Sequence, residues 1–448
     1  MVMKKILLTI PLLFVPMAMF PIDKADEQAE TSGSSKVEER ARAVSDIDSY
    51  EKFRMGGYGE IAASYMDYDY NWARPTGAAH LNRGSISIPR FILAFDYKFS
   101  SKWVLGAEIE FEYGGVGASK EIEWIEENGE YETDIEKGGE VALEQFHVSY
   151  LMNKYFNVRF GHMIVPVGLT NDHHEPINFF GVYRPEGETT ILPSTWHETG
   201  IAFFGDLGNF DYELQVVSGL DPQLFRMENW VGKGTQAPFE EFRFTSPAFV
   251  ARVNYNGVKQ FDGLRLGASF YFDQTAKNGS KPYRNTGHKF PVTIVTADGQ
   301  YISKKRNLIA RANIVWGRLG DSDALSSINS QSTSASGFPT STVAERAVSY
   351  AAEAGYNIGS FFGKKTPRLY LFGRYEYYNP MQALEKGSAR LADARLQKSV
   401  ITAGFNYYAL PNLVIKADYT HRIVGRGKYN SQNMVSLGAA YVGWFFKK

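Results

Sequence analysis

The chain contains no cysteine. Disulfide scaffolds, Cys-ligated zinc or iron–sulfur centres and a lipoprotein-type anchor are therefore excluded. Net charge is also nearly absent, with 48 Lys+Arg against 49 Asp+Glu. The basic excess of a nucleic-acid-binding protein is missing, and no such partner is expected. Long apolar runs are missing too, with one exception. The mean hydropathy of −0.29 speaks against helical membrane spans, each of which needs about 20 mostly apolar residues.

The exception lies at the start. Lys4 and Lys5 precede an uncharged stretch, Ile6 to Ile22, interrupted by Pro11 and Pro16 and followed by Asp23, Lys24, Asp26 and Glu27. A basic segment before a short apolar one is the pattern of a secretory signal, assigned to residues 1–20. Residues 21–53 are charged and small, with Ser32, Gly33, Ser34 and Ser35 at their centre, and read as a periplasmic tail or linker. The body, residues 54–448, is a different polymer.

In the body, large apolar side chains recur at every second position. Trp103, Leu105, Ala107, Ile109, Phe111 and Tyr113 share one face, with Val104, Gly106, Glu108, Glu110 and Glu112 opposite. A period of two is a strand with unlike faces. Phe91–Leu93–Phe95–Tyr97, Phe210–Tyr212–Leu214–Val216 and Leu413–Ile415–Ala417–Tyr419 repeat the device. Such segments centre near residues 60, 92, 108, 146, 160, 201, 213, 252, 269, 296, 312, 353, 373, 403, 418 and 440. Connections between them alternate: short ones such as Ser100-Ser101, Asn153-Lys154 and Leu410-Pro411, long polar ones such as 114–140, 167–197 and 319–347. Short turns on one rim and long loops on the other are the wiring of an all-β, transmembrane antiparallel β-barrel, here of about sixteen strands, with periplasmic turns and extracellular loops. Soluble sandwiches also alternate, but give aromatics no reason to gather at strand ends. Tyr97, Phe99, Trp103, Tyr113, Phe156, Tyr212, Phe272, Tyr377, Tyr407 and Tyr419 do gather there, as interfacial girdles require.

The face opposite the apolar one is ionic. Arg90, Arg159, Arg252, Arg265, Arg311, Arg374, Lys98 and Lys416 are expected to point inward, outnumbered by Glu60, Asp96, Glu108, Glu110, Glu112, Asp211, Glu213, Asp273, Asp298, Glu353, Glu376 and Asp418. A barrel of this width leaves an aqueous channel, in which such charges stay solvated and set the potential that a passing ion meets. The third long loop, 167–197, is the candidate constriction, with His173, His174, Glu175 and Arg184 narrowing the lumen. Adjacent histidines rarely share an ion, and no metal or other cofactor is expected.

Gly57-Tyr58-Gly59-Glu60, Phe160-Gly161-His162, Pro166-Val167-Gly168, Glu198-Thr199-Gly200-Ile201, Glu353-Ala354-Gly355-Tyr356 and Phe372-Gly373-Arg374-Tyr375-Glu376 resemble the phosphate-selective porins O and P. The resemblance implies a sixteen-stranded, trimeric outer-membrane porin of a Gram-negative bacterium, whose inward arginines and third loop guide anions such as phosphate. The inward acids leave anion against cation preference open, and opposed acidic and basic walls would create a transverse field. Expected partners are outer-membrane lipid, small ions and polar solutes, and two further copies of the chain.

Two loops read as surface features. The second carries Glu121, Glu123, Glu126, Glu127, Glu130, Glu132, Asp134, Glu136 and Glu140 against Lys137 alone and reads as solvated, with a hard-cation site as the sharper alternative. The sixth, with Ser326, Ser327, Ser330, Ser332, Thr333, Ser334 and Ser336, reads as low-complexity and mobile. Two rival functions remain: a receptor or adhesin barrel, and a barrel hydrolase using inward His147 and Ser149. The second is disfavoured because no Gly-x-Ser-x-Gly elbow occurs.

Overall fold

A computed structural model describes residues 50–68, 82–115, 120–122, 133–135, 140–236, 244–258, 263–303, 305–331, 342–363, 366–427 and 430–448. The expected signal segment, the tail up to residue 49, most of the acidic loop and positions 332–341 lie outside the described residues.

The alternating segments form strands β1 (Phe53–Met66), β2 (Arg83–Lys98), β3 (Trp103–Glu112), β4 (Lys120–Ile122), β5 (Thr133–Ile135), β6 (Glu140–Leu151), β7 (Asn157–Ile164), β8 (His197–Leu207), β9 (Phe210–Val217), β10 (Ala248–Tyr255), β11 (Leu264–Gln274), β12 (Pro291–Ser303), β13 (Leu308–Leu319), β14 (Arg346–Asn357), β15 (Leu369–Ala383), β16 (Lys398–Leu410), β17 (Leu413–Val424) and β18 (Ser431–Lys447). Sixteen of them make one closed antiparallel barrel, while β4 and β5 pair apart from it. Each expected segment centre falls inside a barrel strand. The small β4–β5 ladder sits within the acidic loop and sets Glu121 opposite Asp134.

β1 pairs with β18 from Arg54↔Lys447 to Met66↔Met434 and closes the ring. The Lys448 amide donates to the Phe53 carbonyl at 2.8 Å, and the Lys52 and Phe53 amides donate back to Lys448. Closure matters because lipid offers no hydrogen-bond partner to a free sheet edge.

The two faces are inverted relative to a water-soluble protein. Outward Ile61, Phe91, Phe160, Phe270, Ile314, Phe405 and Leu437 are exposed, whereas inward Arg90, Glu108, Arg252, Glu376 and Lys416 are buried. Exposed apolar bands of this extent mark a surface that meets something other than water. Aromatic pairs crowd the short-turn rim: Tyr97 with Phe99 at 5.1 Å, Trp103 with Tyr150 at 4.6 Å, and Phe210 with Tyr255 at 4.7 Å. They build the expected girdle.

The long loops depart from the polar reading. Leu220, Phe225, Trp230, Val231, Tyr283, Phe290 and Leu325, all from loops, join wall residues Val217, Tyr271, Ile294 and Val315 in one apolar cluster. Part of the serine-rich loop is a helix, Ser322–Gln331. Ser326 is buried there, donating to the Ser322 carbonyl and accepting from the Val343 amide. That segment is packed, which corrects the mobile reading, because one helical face carries the apolar Leu325 that the serine count conceals.

Replacing the outward Ile314 by arginine is expected to destabilise the barrel by about 2–4 kcal/mol, the cost of a cation on the lipid face near the midplane. Denaturant unfolding from lipid vesicles measures it, and an unchanged midpoint would mean that this face does not meet lipid.

Candidate functional site

Loop 167–197 runs through the barrel rather than over it. Its entry is set by Gly168, whose φ of 89° favours glycine and whose Cβ would meet Glu188 Oε1 at 2.3 Å. A helical turn, Leu169–Asp172, and a short helix, Glu186–Ile191, are its regular pieces. Glu188 joins them, accepting from the Leu169 and Asn171 amides at 3.1 and 2.9 Å and from the Asn313 side chain of β13.

The charges of the wall hold the loop's backbone. Lys416 Nζ on β17 donates to the carbonyls of Pro176, Phe179 and Gly181, the last two at 2.8 and 2.9 Å. Its ammonium also lies 4.3 Å from the Phe179 ring. Glu353 on β14 accepts from the Phe180 amide, Asp418 on β17 from Val182, and Glu376 on β15 from Gly187. Arg422 grips Glu186 through Nε at 2.7 and 2.9 Å. Arg90 Nη2 on β2 donates to the His174 carbonyl at 3.1 Å. Phe180 packs where β14 has no side chain: a Cβ at Gly355 would meet its ring at 2.2 Å. The ring stacks on Phe372 at 5.2 Å.

Two loop carboxylates respond to this burial. Burial raises Glu188 to about 7, aided by Asp298 and opposed by the hydrogen bonds from Asn171, Asn313 and Leu169. Burial also pushes Glu186 upward, but the Arg422 guanidinium outweighs it and holds the carboxyl below its ordinary value.

The expected inward arginines all point inward, yet most are committed to acids. Arg90 pairs with Glu60 at 3.0 Å, Arg252 with Asp298 at 2.9 Å and Asp172 at 3.4 Å, Arg159 with Glu213 at 4.0 Å, and Arg265 with Asp211 at 3.3 Å. Arg311 and Arg374 converge on Glu353 at 3.0 and 3.4 Å, and Arg374 also meets Glu376 at 2.8 Å. Arg184 turns back on its own loop, donating to Ser194 and Thr195. His173 and His174 part company: His173 lies against Asp172 at 3.2 Å, His174 against Glu144 at 2.8 Å. Glu175 accepts from Asn178. On β6, Ser149 accepts from Arg159 Nε at 3.2 Å.

Two cavities flank the loop. One is bounded by His173, Asn178, Pro185, Gln300, Arg311, Asn313, Glu353 and Arg374. The other is bounded by Glu110, Glu112, His162, Thr195, His197, Lys233 and Gln236. The loop lies between a guanidinium-rich cavity and one with two carboxylates, two imidazoles and the Lys233 ammonium. Glu144 is the site residue that periodicity misses, because a bulge in β6 displaces it.

A family described as phosphate-selective porin O and P matches residues 58–442. The chain belongs to that family. The porin is an outer-membrane channel. It is 26% identical over 403 residues to an uncharacterised protein of Aquifex aeolicus (strain VF5), covering 88% of this chain and 79% of that one. Among solved structures, the anion-selective porin of Comamonas acidovorans superposes with a TM-score of 0.50 at 12% identity, covering 87% of the porin and 99% of its own chain. The outer-membrane channel DcaP of Acinetobacter baumannii gives 0.51 at 13%, covering 87% and 96%. Salmonella typhi OmpF, in complex with daunomycin, gives 0.51 at 12%, covering 86% and 97%. At these identities the likeness shows the fold alone.

Lys416→Met is expected to undock the loop, since three buried carbonyls lose their donor at about 1–3 kcal/mol each. Single-channel conductance should rise while the β circular dichroism is unchanged; an unaltered conductance would mean that Lys416 does not hold the loop in the path. Because Glu188 carries its proton more firmly folded than unfolded, its contribution is fully present below pH ~4.5 and is lost as the pH rises through about 7. Exchange protection of the Leu169 and Asn171 amides, corrected for intrinsic rates, should therefore fall across that window in the porin and stay level in Glu188→Gln.

Proposed function

We propose that the porin is a passive, non-catalytic channel for small anions, phosphate among them, and that the path runs through the cavity between loop 167–197 and strands β12–β15. The lining of that cavity carries the reading. Arg311 and Arg374 face Glu353 alone among the carboxylates that bound it, and His173 stands on the opposite, loop side. Among the lining residues two guanidiniums meet one carboxylate, with Glu376 beside Arg374 but outside the lining, so the groups that bound the cavity carry a positive excess that acts on a permeating ion. The likeness in fold to an anion-selective porin is compatible with this sign. Arg90, Arg159 and Arg252, sealed in ion pairs, act on the wall rather than on the solute; Arg265, Arg184, His174, Glu175, Glu108 and Glu110 lie away from this cavity's lining.

The acids of the other cavity, Glu110 and Glu112, place the opposite sign across the loop. That segregation gives the transverse field expected of opposed walls, and orients dipolar solutes as they pass. Export by the signal at 1–20, residence in the outer membrane of a Gram-negative bacterium and assembly as a homotrimer belong to the same reading; they rest on Lys4, Lys5 and the apolar stretch after them, and on the family.

In planar bilayers under a KCl gradient, the reversal potential is expected on the chloride side. Arg374→Ala should lower the chloride-to-potassium permeability ratio roughly sixteenfold, about fourfold from each ion, because a unit charge about 5 Å from the path in water is worth ~0.8 kcal/mol to either one, with opposite sign. A reversal potential on the potassium side, or no change in Arg374→Ala, would overturn the anion path.

A further inference from the structure

Glu144 does not follow the alternation of its strand. Phe146, two residues on, is outward and exposed, so strict alternation would set Glu144 in lipid. Instead the β3–β6 register passes from Glu108↔Gln145 directly to Ile109↔Leu143, which makes Glu144 the extra residue of a β-bulge. The slip turns its carboxylate inward, where the residue is fully buried. Bulges of this kind re-aim side chains and concentrate beside functional sites.

The bulge delivers Glu144 to a cluster. Ligand atoms of Glu108, Glu144 and His174 all lie within 4.8 Å of one another, and each of the three residues is buried. We propose that Glu144, Glu108 and His174 bind a divalent first-row transition-metal ion, and that the ion ties loop 167–197 to strands β3 and β6.

Independent features of the surroundings point the same way. His174 Nδ1 lies 3.0 Å from the Asn171 carbonyl. A proton on Nδ1 leaves the Nε2 lone pair for a metal ion; Nε2 lies 2.8 Å from Glu144 Oε1, and among the described residues neither atom has a hydrogen-bond partner. Metal-binding imidazoles are oriented by such an outer hydrogen bond from the other ring nitrogen. Tyr58 donates to Glu144 Oε2 at 3.3 Å and fixes the carboxylate's plane. Glu110 is also buried, and among the described residues its Oε1 has no hydrogen-bond partner. The adjacent cation, Arg90, directs Nε to Glu60 and Nη2 to the His174 carbonyl. Buried carboxylates in this number call for a further positive charge. One imidazole among carboxylates suits a borderline ion such as Zn²⁺ better than Ca²⁺ or Mg²⁺, which prefer oxygen alone. Two more histidines, His162 and His197, stand nearby with ring nitrogens 2.5 Å apart, but they are engaged with each other and His162 with Thr199.

The test uses the full-length barrel folded in detergent, stripped with a chelator and titrated with Zn²⁺ by calorimetry. One ion per chain is expected, with affinity falling at least tenfold in Glu144→Gln and in His174→Gln. Folding of each variant is checked by β circular dichroism. X-ray absorption at the zinc edge of the unsubstituted protein needs no variant and should show one imidazole in an otherwise oxygen shell. Absence of stoichiometric zinc on a folded barrel, unchanged affinity in Glu144→Gln, or a shell with two imidazoles would overturn the site. Conductance of the zinc-free protein reports separately on the channel, so failure of one reading is not failure of the other.

Discussion

The pairing of β1 with β18 is the constraint from which the rest follows. In hydrocarbon each unpaired backbone group costs several kcal/mol, so a membrane sheet must close on itself. Closing with sixteen strands produces a ring too wide for its own side chains to fill. Something else must occupy the middle if the pore is to be narrow, and here the third long loop does so. That loop brings irregular backbone to membrane depth, where its amides and carbonyls need partners of their own. The wall supplies them from its charges: Lys416 takes three carbonyls, and Glu353, Asp418 and Glu376 each take an amide. Many charges of the inner face are therefore scaffolding for the loop before they are a filter for ions.

This explains why the barrel was legible in the sequence while its selectivity was not. Alternation with a period of two, short turns opposed to long loops, and aromatics at strand ends are local signals, and every barrel strand falls where they place it. The third loop was expected as a constriction through His173, His174, Glu175 and Arg184, whereas the wall contacts that hold its backbone were not legible. Counting inward acids against inward bases, by contrast, treats each charge as free. Glu353 alone meets two guanidiniums and an amide, and Asp298 is bound to Arg252 at 2.9 Å. Whether a charge faces solute or partner depends on contacts between residues far apart in the chain, which no periodicity encodes. The serine-rich loop misled for the opposite reason: an apolar residue such as Leu325 outweighs a polar composition once neighbouring loops, Trp230 among their residues, supply a cluster to join.

Glu144 marks the limit of periodic reading most sharply. A one-residue bulge reverses the faces of everything beyond it, so Val141 and Phe146, of opposite parity, both look outward. A reader who trusts strict alternation must put either Glu144 or Phe146 in the wrong solvent. The sequence does hold a trace of the slip: Glu144 and Gln145 are adjacent polar residues in a strand that otherwise alternates, and the bilayer tolerates neither facing it. Two consecutive polar residues between outward apolar ones are thus a physical signature of a bulge in any lipid-facing strand. In this chain the residue so displaced lands beside an imidazole carried by the loop. The slip therefore links β6 to the loop, beside the contact that Arg90 of β2 makes with the His174 carbonyl.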